Sequence, residues 1–428
     1  MKLAVVGGGS TYTPELVDGF ARLRDTLPLT ELALIDPAAD RVELIGGLAR
    51  RIFAKQGHPG TVTTHSGLDG LESGVEGADA VLIQLRVGGQ TIRNVDESFP
   101  LEFCCVGQET TGAGGFAKAL RTVPVVLDIA ERVRRIAPQA WIIDFTNPVG
   151  IVTRALLDAG HRAVGLCNVA IGFQRRAAAH LGVEPSRIKL DHVGLNHLTW
   201  ERGFYLDGTD FLPKYLDEAL DEVAHDIELP AELISRLAAI PSYYLRYFYA
   251  HDIVVKEQID QVAKGENRAK AVAAVEAELL AQYADPTLDT KPEALSKRGG
   301  AFYSEAAVEL LASLHGGPDK QSEEQVVNVR NAGTFPFLAD DAVIEVPAIV
   351  DAAGVRPAPL RAPIEPLYRG LIGHVSAYEE LAVEAAIKGG VDRVRTAMLA
   401  HPLIGQADLA DKLADSLVAK NRDFLPWA

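Results

Sequence analysis

The chain has 428 residues, 48% of them hydrophobic and 23% charged, with a formal net charge of −16. This is the composition of a soluble globular protein long enough for two or three domains, and its acidity leaves no broad basic face for a nucleic-acid backbone. Three cysteines cannot build a disulfide framework, which fits a reducing cytoplasm, and no run of about 18 uncharged apolar residues reads as a membrane span.

In chain order, Leu3–Val6 is a continuous apolar run, as for a strand covered on both faces. One lysine and so short a run do not read as a secretory signal. Glycines follow, and then Leu16, Phe20 and Leu23 recur at helical spacing behind Pro14, which suits a first helical turn. "ELALID" is a second strand ending at Asp36, followed by a helix through "DRVELIGGLARRIF" and by "TVTTHS". "ADAVLIQL" and "AWIIDFTNP" read as strands, with "VPVVLDIAERVRRIAP" helical between them. "VGIVTRALLDAG" is a helix and "RAVGLCN" another strand. Such alternation predicts an α/β fold with an N-terminal Rossmann-like, doubly wound parallel sheet over residues 1–170. Residues 171–428 read as a mixed α+β domain, with "IKLDHVGLNHLTWERGFYLDG" as antiparallel strands and 215–330 mostly helical.

"GGGST" closes the first strand. Gly7 and Gly9 supply a G-x-G turn that lets backbone N–H groups approach a pyrophosphate, while Tyr12 occupies the place of a third glycine. Asp36 ends the second strand, where an acid accepts hydrogen bonds from an adenosine ribose. A tight βα turn without a ligand is the plainer alternative.

Polar residues gather at later strand ends, where parallel sheets collect chemistry. Arg93, Asn94, Asp96 and Glu97 follow "VLIQL", Asn147 ends its strand in "DFTNP", and Cys167 and Asn168 end "GLCN". Between them "VGQETTGAGGF", residues 106–116, is a Gly/Thr loop with one carboxylate, Glu109, as expected of a substrate or cofactor lid. Each alone is a capped loop. "HVGLNHLTW" adds His192, Asn196 and His197. A thiolate and an imidazole are ligands preferred by divalent transition metals, although 30 residues of separation exclude a local zinc-finger type of site. The aromatics of "IPSYYLRYFYAHD" read from the residues alone as a core-facing helix stripe.

"GGGSTYTPEL", "RNVDESFPLEFCCVGQETTGAGG", "DFTNP", "GLCNVAIG", "GLNHLTW" and "YYLRYFY" occur in this order. Together they resemble family 4 glycoside hydrolases, in particular those of 6-phospho-β-glucosidase type, over nearly the whole chain; NAD-dependent members of this family do without the usual pair of carboxylates. The resemblance implies a fold like that of lactate and malate dehydrogenases. It also implies hydrolysis of 6-phospho-β-glucosides to glucose 6-phosphate and aglycone by redox-assisted elimination. NAD⁺ takes hydride from sugar C3, a tyrosine removes the C2 proton, the C1–O bond breaks, water adds and NADH returns the hydride. A divalent metal, usually Mn²⁺, acts as Lewis acid on the C2 and C3 oxygens.

Carried over by motif, Cys167 and His197 would be metal ligands and Tyr244 the base, with Tyr243 as its alternate in the doublet. Arg93, Asn94, Asn147, Asn168 and Arg298 of "KRGGAFYS" would contact substrate. Gly7, Gly9, Ser10, Thr11, Asp36 and Glu109 would serve NAD. Asn168 replaces the acid that α-specific relatives carry beside the cysteine, so it favours the β type; Ala170 departs from the "CNVPIG" common in that type. The resemblance also implies a homodimer or homotetramer. Two other readings compete: a conventional NAD-dependent 2-hydroxy-acid dehydrogenase using Asp191 and His192, and a catalytically silent NAD-binding regulator.

Overall fold

A computed structural model describes residues 1–298, 302–316 and 322–428, with Leu68 and Arg298 described by backbone alone. Six parallel strands form its centre: β1 (Lys2–Val6), β2 (Glu31–Asp36), β3 (Thr61–Ser66), β4 (Ala80–Ile83), β5 (Trp141–Asp144) and β6 (Ala163–Gly165). Their spatial order is β6-β5-β4-β1-β2-β3, the arrangement of a dinucleotide-binding sheet. Leu3, Ala4, Val5, Ala80, Val81, Leu82 and Ile83 are fully buried, which explains why these strands read as unbroken apolar runs. The connecting helices are α1 (Thr13–Arg22), α2 (Ala39–Lys55), α3 (Gly67–Val75), α4 (Gly89–Ser98), α5 (Gly112–Ile136) and α6 (Val149–Asp158), with α7 (Val169–Leu181) after β6.

The second half builds an antiparallel sheet from β7 (Ile188–Leu195), β8 (Leu198–Leu206), β9 (Thr209–Asp210) and β10 (Ile240–Pro241). It also extends the first sheet. β11 (Glu323–Arg330) pairs antiparallel with β6 through Asn328 and Gly165, and β12 (Val343–Asp351) and β13 (Gly354–Pro357) continue outward, giving nine strands. The last eight residues of the stretch expected to be mostly helical, 215–330, are therefore a strand. Among the described residues no helix is long and apolar enough to cross a membrane.

Two further expectations change. Arg93 to Glu97 lie not on a loop but in α4, entered through Gly88 and Gly89 at positive φ (86° and 63°). The Gly/Thr stretch is loop only to Thr111; Gly112, Gly114 and Gly115 begin the 25-residue α5. They are there for space, since a Cβ on Gly114 would lie 2.4 Å from the carbonyl oxygens of Asp96 and Gln108, and one on Gly115 2.5 Å from the carbonyl carbon of Thr110. The sequence hid this helix start because glycine is a poor helix former in isolation.

Candidate active site

A cleft of about 810 Å³ opens beyond the carboxyl ends of the parallel strands. Ser10 lines it from after β1, Gln84 from after β4, Asn147 from after β5 and Asn168 from after β6. Arg86, Arg93, Glu109, Lys118 and Tyr244 line it too.

At the first turn Gly7 has φ 88°, and a Cβ there would sit 2.4 Å from the Gln84 carbonyl oxygen. A Cβ on Gly9 would lie 2.7 Å from the Asp36 carboxyl carbon. The Gly9 N–H donates to Asp36 Oδ2 (3.0 Å) and the Ala38 N–H to Asp36 Oδ1 (3.0 Å), so the acid at the end of β2 also braces the glycine turn. The glycines are required by this internal packing, and the N–H groups of Gly7 and Gly8 both donate to the Ile35 carbonyl (2.9 Å), so what the turn leaves for a nucleotide phosphate is the N-terminal end of α1. Thr11 is fully buried, and its carbonyl accepts a hydrogen bond from Tyr283 Oη (2.7 Å); like Gly7, Gly9 and Asp36 it lies outside the cleft lining.

At the end of β5, Asp144 accepts from the Thr146 N–H (2.9 Å) and the Thr153 hydroxyl (3.2 Å). Burial lifts its carboxyl to about 8. This cinched corner presents Asn147, whose buried Oδ1 has no partner and faces a place for a ligand donor.

Glu109 does not stand free for a cofactor. It pairs with Arg86, with Lys118 Nζ at 2.8 Å and with Arg93 Nη2 at 3.3 Å. Burial works to raise its carboxyl, but Lys118, Arg86 and Arg93 hold it well below the usual range. Burial and Arg86 bring the Lys118 ammonium down to about 8. Arg93 also bonds Glu97 (2.7 Å), whose second oxygen accepts from the Ala269 N–H (2.7 Å). Asn94 lies outside the cleft lining and accepts from Asn267 (2.8 Å), which makes it a tie between helices. Asp96 is locked to Arg121 at 2.6 Å. Arg298 ends the turn Glu293–Arg298, and its side chain lies outside the described residues.

Cys167 follows β6 and is buried. Burial and the Glu345 charge push its thiol up to about 12, opposed by N–H groups of Val169 and Asn168 and by Asn196. These donors at the start of α7 favour a thiolate once a cation arrives. His197 sits in the two-residue hairpin between β7 and β8 at φ 63°. Burial lowers it to about 4, so the ring is neutral, as a metal ligand must be. Tyr244 lines the cleft and its ring stacks on His197 with centroids 3.5 Å apart, with Cys167 near enough to help raise its phenol, while Cys167 and His197 themselves lie outside the cleft lining. Among the described residues no cluster of three or more His, Cys, Asp or Glu forms. A soft thiol and a neutral imidazole fit a divalent metal that completes its coordination with other oxygens.

Tyr243 is placed differently. Its hydroxyl accepts from Arg246 (2.7 Å) and lies toward Glu228 at the mouth.

The Asp191–His192 pair needed by a dehydrogenase does not form. Asp191 pairs with Arg202 (3.1 Å), while His192, fully buried, lies 3.2 Å from both Glu201 and Glu345. Glu345 also accepts from Asn196 (2.8 Å) and Asn328 (3.1 Å), so this buried network reaches the side chain beside Cys167. Glu201, Glu345 and Lys118 are absent from the sequence reading. Their signal was a charged residue inside an apolar run, as in "VIEVPAIV". Burial alone would lower His192, but hydrogen bonds and charge from Glu201 and Glu345 raise it to about 9, while burial raises Glu201 to about 7. Both bind more protons folded than unfolded, so this network's stability is lost as pH rises through these values. Unfolding midpoints in urea should fall between pH 6.5 and 9 by the equivalent of about 3 kcal/mol. His192→Gln should flatten that slope; an equal slope in the variant would remove His192 as its source.

Comparison with known proteins identifies the family. The profile described as Family 4 glycosyl hydrolase matches residues 2–183, and the one for the Family 4 glycosyl hydrolase C-terminal domain matches 192–404. The chain belongs to family 4 of the glycosyl hydrolases. It is 35% identical over 438 residues to a probable 6-phospho-β-glucosidase of Bacillus subtilis, covering 100% of this chain and 97% of the relative. It is similar to the 6-phospho-β-glucosidase structure from Thermotoga maritima with manganese, NAD⁺ and glucose 6-phosphate (TM-score 0.90, 30% identity, 99% of both chains). Malate dehydrogenase of Cryptosporidium parvum shares the fold alone, at TM-score 0.54 and 14% identity, covering 90% of this chain and 99% of that one.

Proposed function

We propose that this protein hydrolyses 6-phospho-β-glucosides to glucose 6-phosphate and an aglycone, using NAD and a divalent metal such as Mn²⁺. The observation that carries the reading is Tyr244, which lines the cleft at the strand ends and stacks on His197. The relatives' names and the ligands of the Thermotoga maritima structure support the same substrate and cofactors.

Residues 1–170 hold NAD at the turn of Gly7, Gly9 and Ser10 beside Asp36, and Cys167 and His197 hold the metal. When bound, NAD supplies hydride acceptance at C3, and the metal supplies Lewis-acid stabilisation of charge on neighbouring oxygens. Arg93 and Asn147 orient the sugar. Tyr244 takes the C2 proton, which the C3 ketone makes acidic. Asn168 lines the cleft where an acid would protonate the leaving group, and its amide cannot do so. Free Cys104, Cys105 and Cys167 accord with work in the cytoplasm, and the reading extends to a homodimer or homotetramer.

Activity on p-nitrophenyl 6-phospho-β-glucoside should vanish after chelation and NAD removal and return with Mn²⁺ and NAD⁺ together. Net NADH should not accumulate, which separates this enzyme from a dehydrogenase. Full activity after exhaustive chelation and NAD removal would overturn the proposal, and silence under all conditions would favour a regulator.

A further inference from the structure

We propose that Gln108 and Thr110 form a positioning relay that fixes the tautomer of His197, keeping Nδ1 protonated and the Nε2 lone pair free for the metal. This rests on the reading of His197 as a metal ligand. Gln108 Oε1 accepts from the Thr110 N–H, from the Thr111 N–H (2.8 Å) and from the Thr110 hydroxyl (2.8 Å). Two of these donors are backbone amides, which cannot accept, so the atom facing them must be the amide oxygen. A threonine hydroxyl has a single proton. With that proton given to Gln108, Thr110 Oγ1 can only accept from His197 Nδ1, 3.0 Å away. The ring must therefore carry its proton on Nδ1, and the remaining lone pair lies on Nε2.

The relay stands on a rigid base. Gln258 bonds both sides of Gly107, accepting from its N–H (3.0 Å) and donating to its carbonyl (3.1 Å). A Cβ on Gly107 would fall 2.1 Å from the Glu97 carbonyl oxygen, so the loop lies flat on α4. His197 itself is held at φ 63° and stacked against Tyr244 on one face. The Gly/Thr motif, which reads in sequence as a lid, sets its threonine against the imidazole. Outer partners of ligand histidines typically control metal affinity by about 10–100-fold.

Two measurements test this. In metal-free wild type labelled with ¹⁵N-histidine, NMR should find His197 protonated at Nδ1; an Nε2–H tautomer overturns the relay without any variant. In Mn²⁺ titrations followed by EPR, the nearly isosteric Thr110→Val should raise the Mn²⁺ Kd by about 10–100-fold, and Thr110→Ser should restore it to within a few-fold of wild type. Wild-type affinity in Thr110→Val, with binding lost in Cys167→Ser and His197→Asn, refutes the relay and leaves the metal site standing. Wild-type affinity in Cys167→Ser and His197→Asn refutes the metal site and the relay with it.

Discussion

Substitution of Tyr244 by phenylalanine is expected to lower kcat by about 10²–10⁴-fold with little change in KM, the range for loss of a positioned acid–base group. The variant keeps the ring that stacks on His197 at 3.5 Å and removes only the hydroxyl, so binding and packing survive. Burial pushes the Tyr244 phenol far up, and Cys167, Glu109 and Tyr243 add to this, with Arg93 pulling the other way. A base at neutral pH therefore needs positive charge near the phenol, which a divalent metal beside Cys167 and His197 would provide. The same variant should stop exchange of the substrate C2 proton with solvent deuterium. Tyr243→Phe should lose far less, because that hydroxyl sits at the mouth with Arg246 and Glu228. Wild-type exchange in Tyr244→Phe would transfer the role elsewhere.

Replacing Glu109 with glutamine should cost about 3–5 kcal/mol of stability, the penalty for leaving buried charges without their counterion. Arg86, Arg93 and Lys118 all converge on this carboxylate, and Lys118 is almost fully buried. Without Glu109, Arg86 and Lys118 lose their counterion and repel one another, while Arg93 keeps Glu97 (2.7 Å). The double variant Glu109→Gln/Lys118→Met removes one charge of each sign and should recover much of the loss. The carboxyl is depressed in the folded state, so its contribution is fully present above its unfolded pKa of about 4.3. It disappears as pH falls below that value through the folded pKa. The gap in urea midpoint between wild type and Glu109→Gln should therefore be complete at pH 7 and narrow only in acid. A Glu109→Gln protein as stable as wild type at pH 7 would show that the cations are otherwise compensated.

Most of the parallel strands were legible as short apolar runs closed by turn chemistry, Val6 to Gly7, Ile35 to Asp36, Asp144 to Pro148, whereas β3, TVTTHS, holds a single apolar residue. Cys167, His197 and Tyr244 were recognisable as residue types in motifs, while their meeting depends on a strand end, a hairpin and a turn that no local pattern connects. Lys118 and Glu345 went unread for a related reason. A lone charge in an apolar run is interpretable only with its partner, and Glu345 finds His192 from 153 residues away. The glycines of the Gly/Thr stretch stand where a Cβ would meet neighbouring backbone, a close approach that a glycine-rich string does not reveal in sequence.

The antiparallel strand laid along β6 has a consequence for how the polypeptide is made. Until Asn328 emerges from the ribosome, Gly165 and its neighbours form a bare margin of the nascent sheet, able to recruit any extended chain nearby. More than 150 residues are synthesised during that interval, roughly 10–30 s at common elongation rates. β6 is only three residues long, which limits the template it offers while it waits. Truncations that stop after the nucleotide half would make this exposure permanent, so such fragments should aggregate although every parallel strand is present.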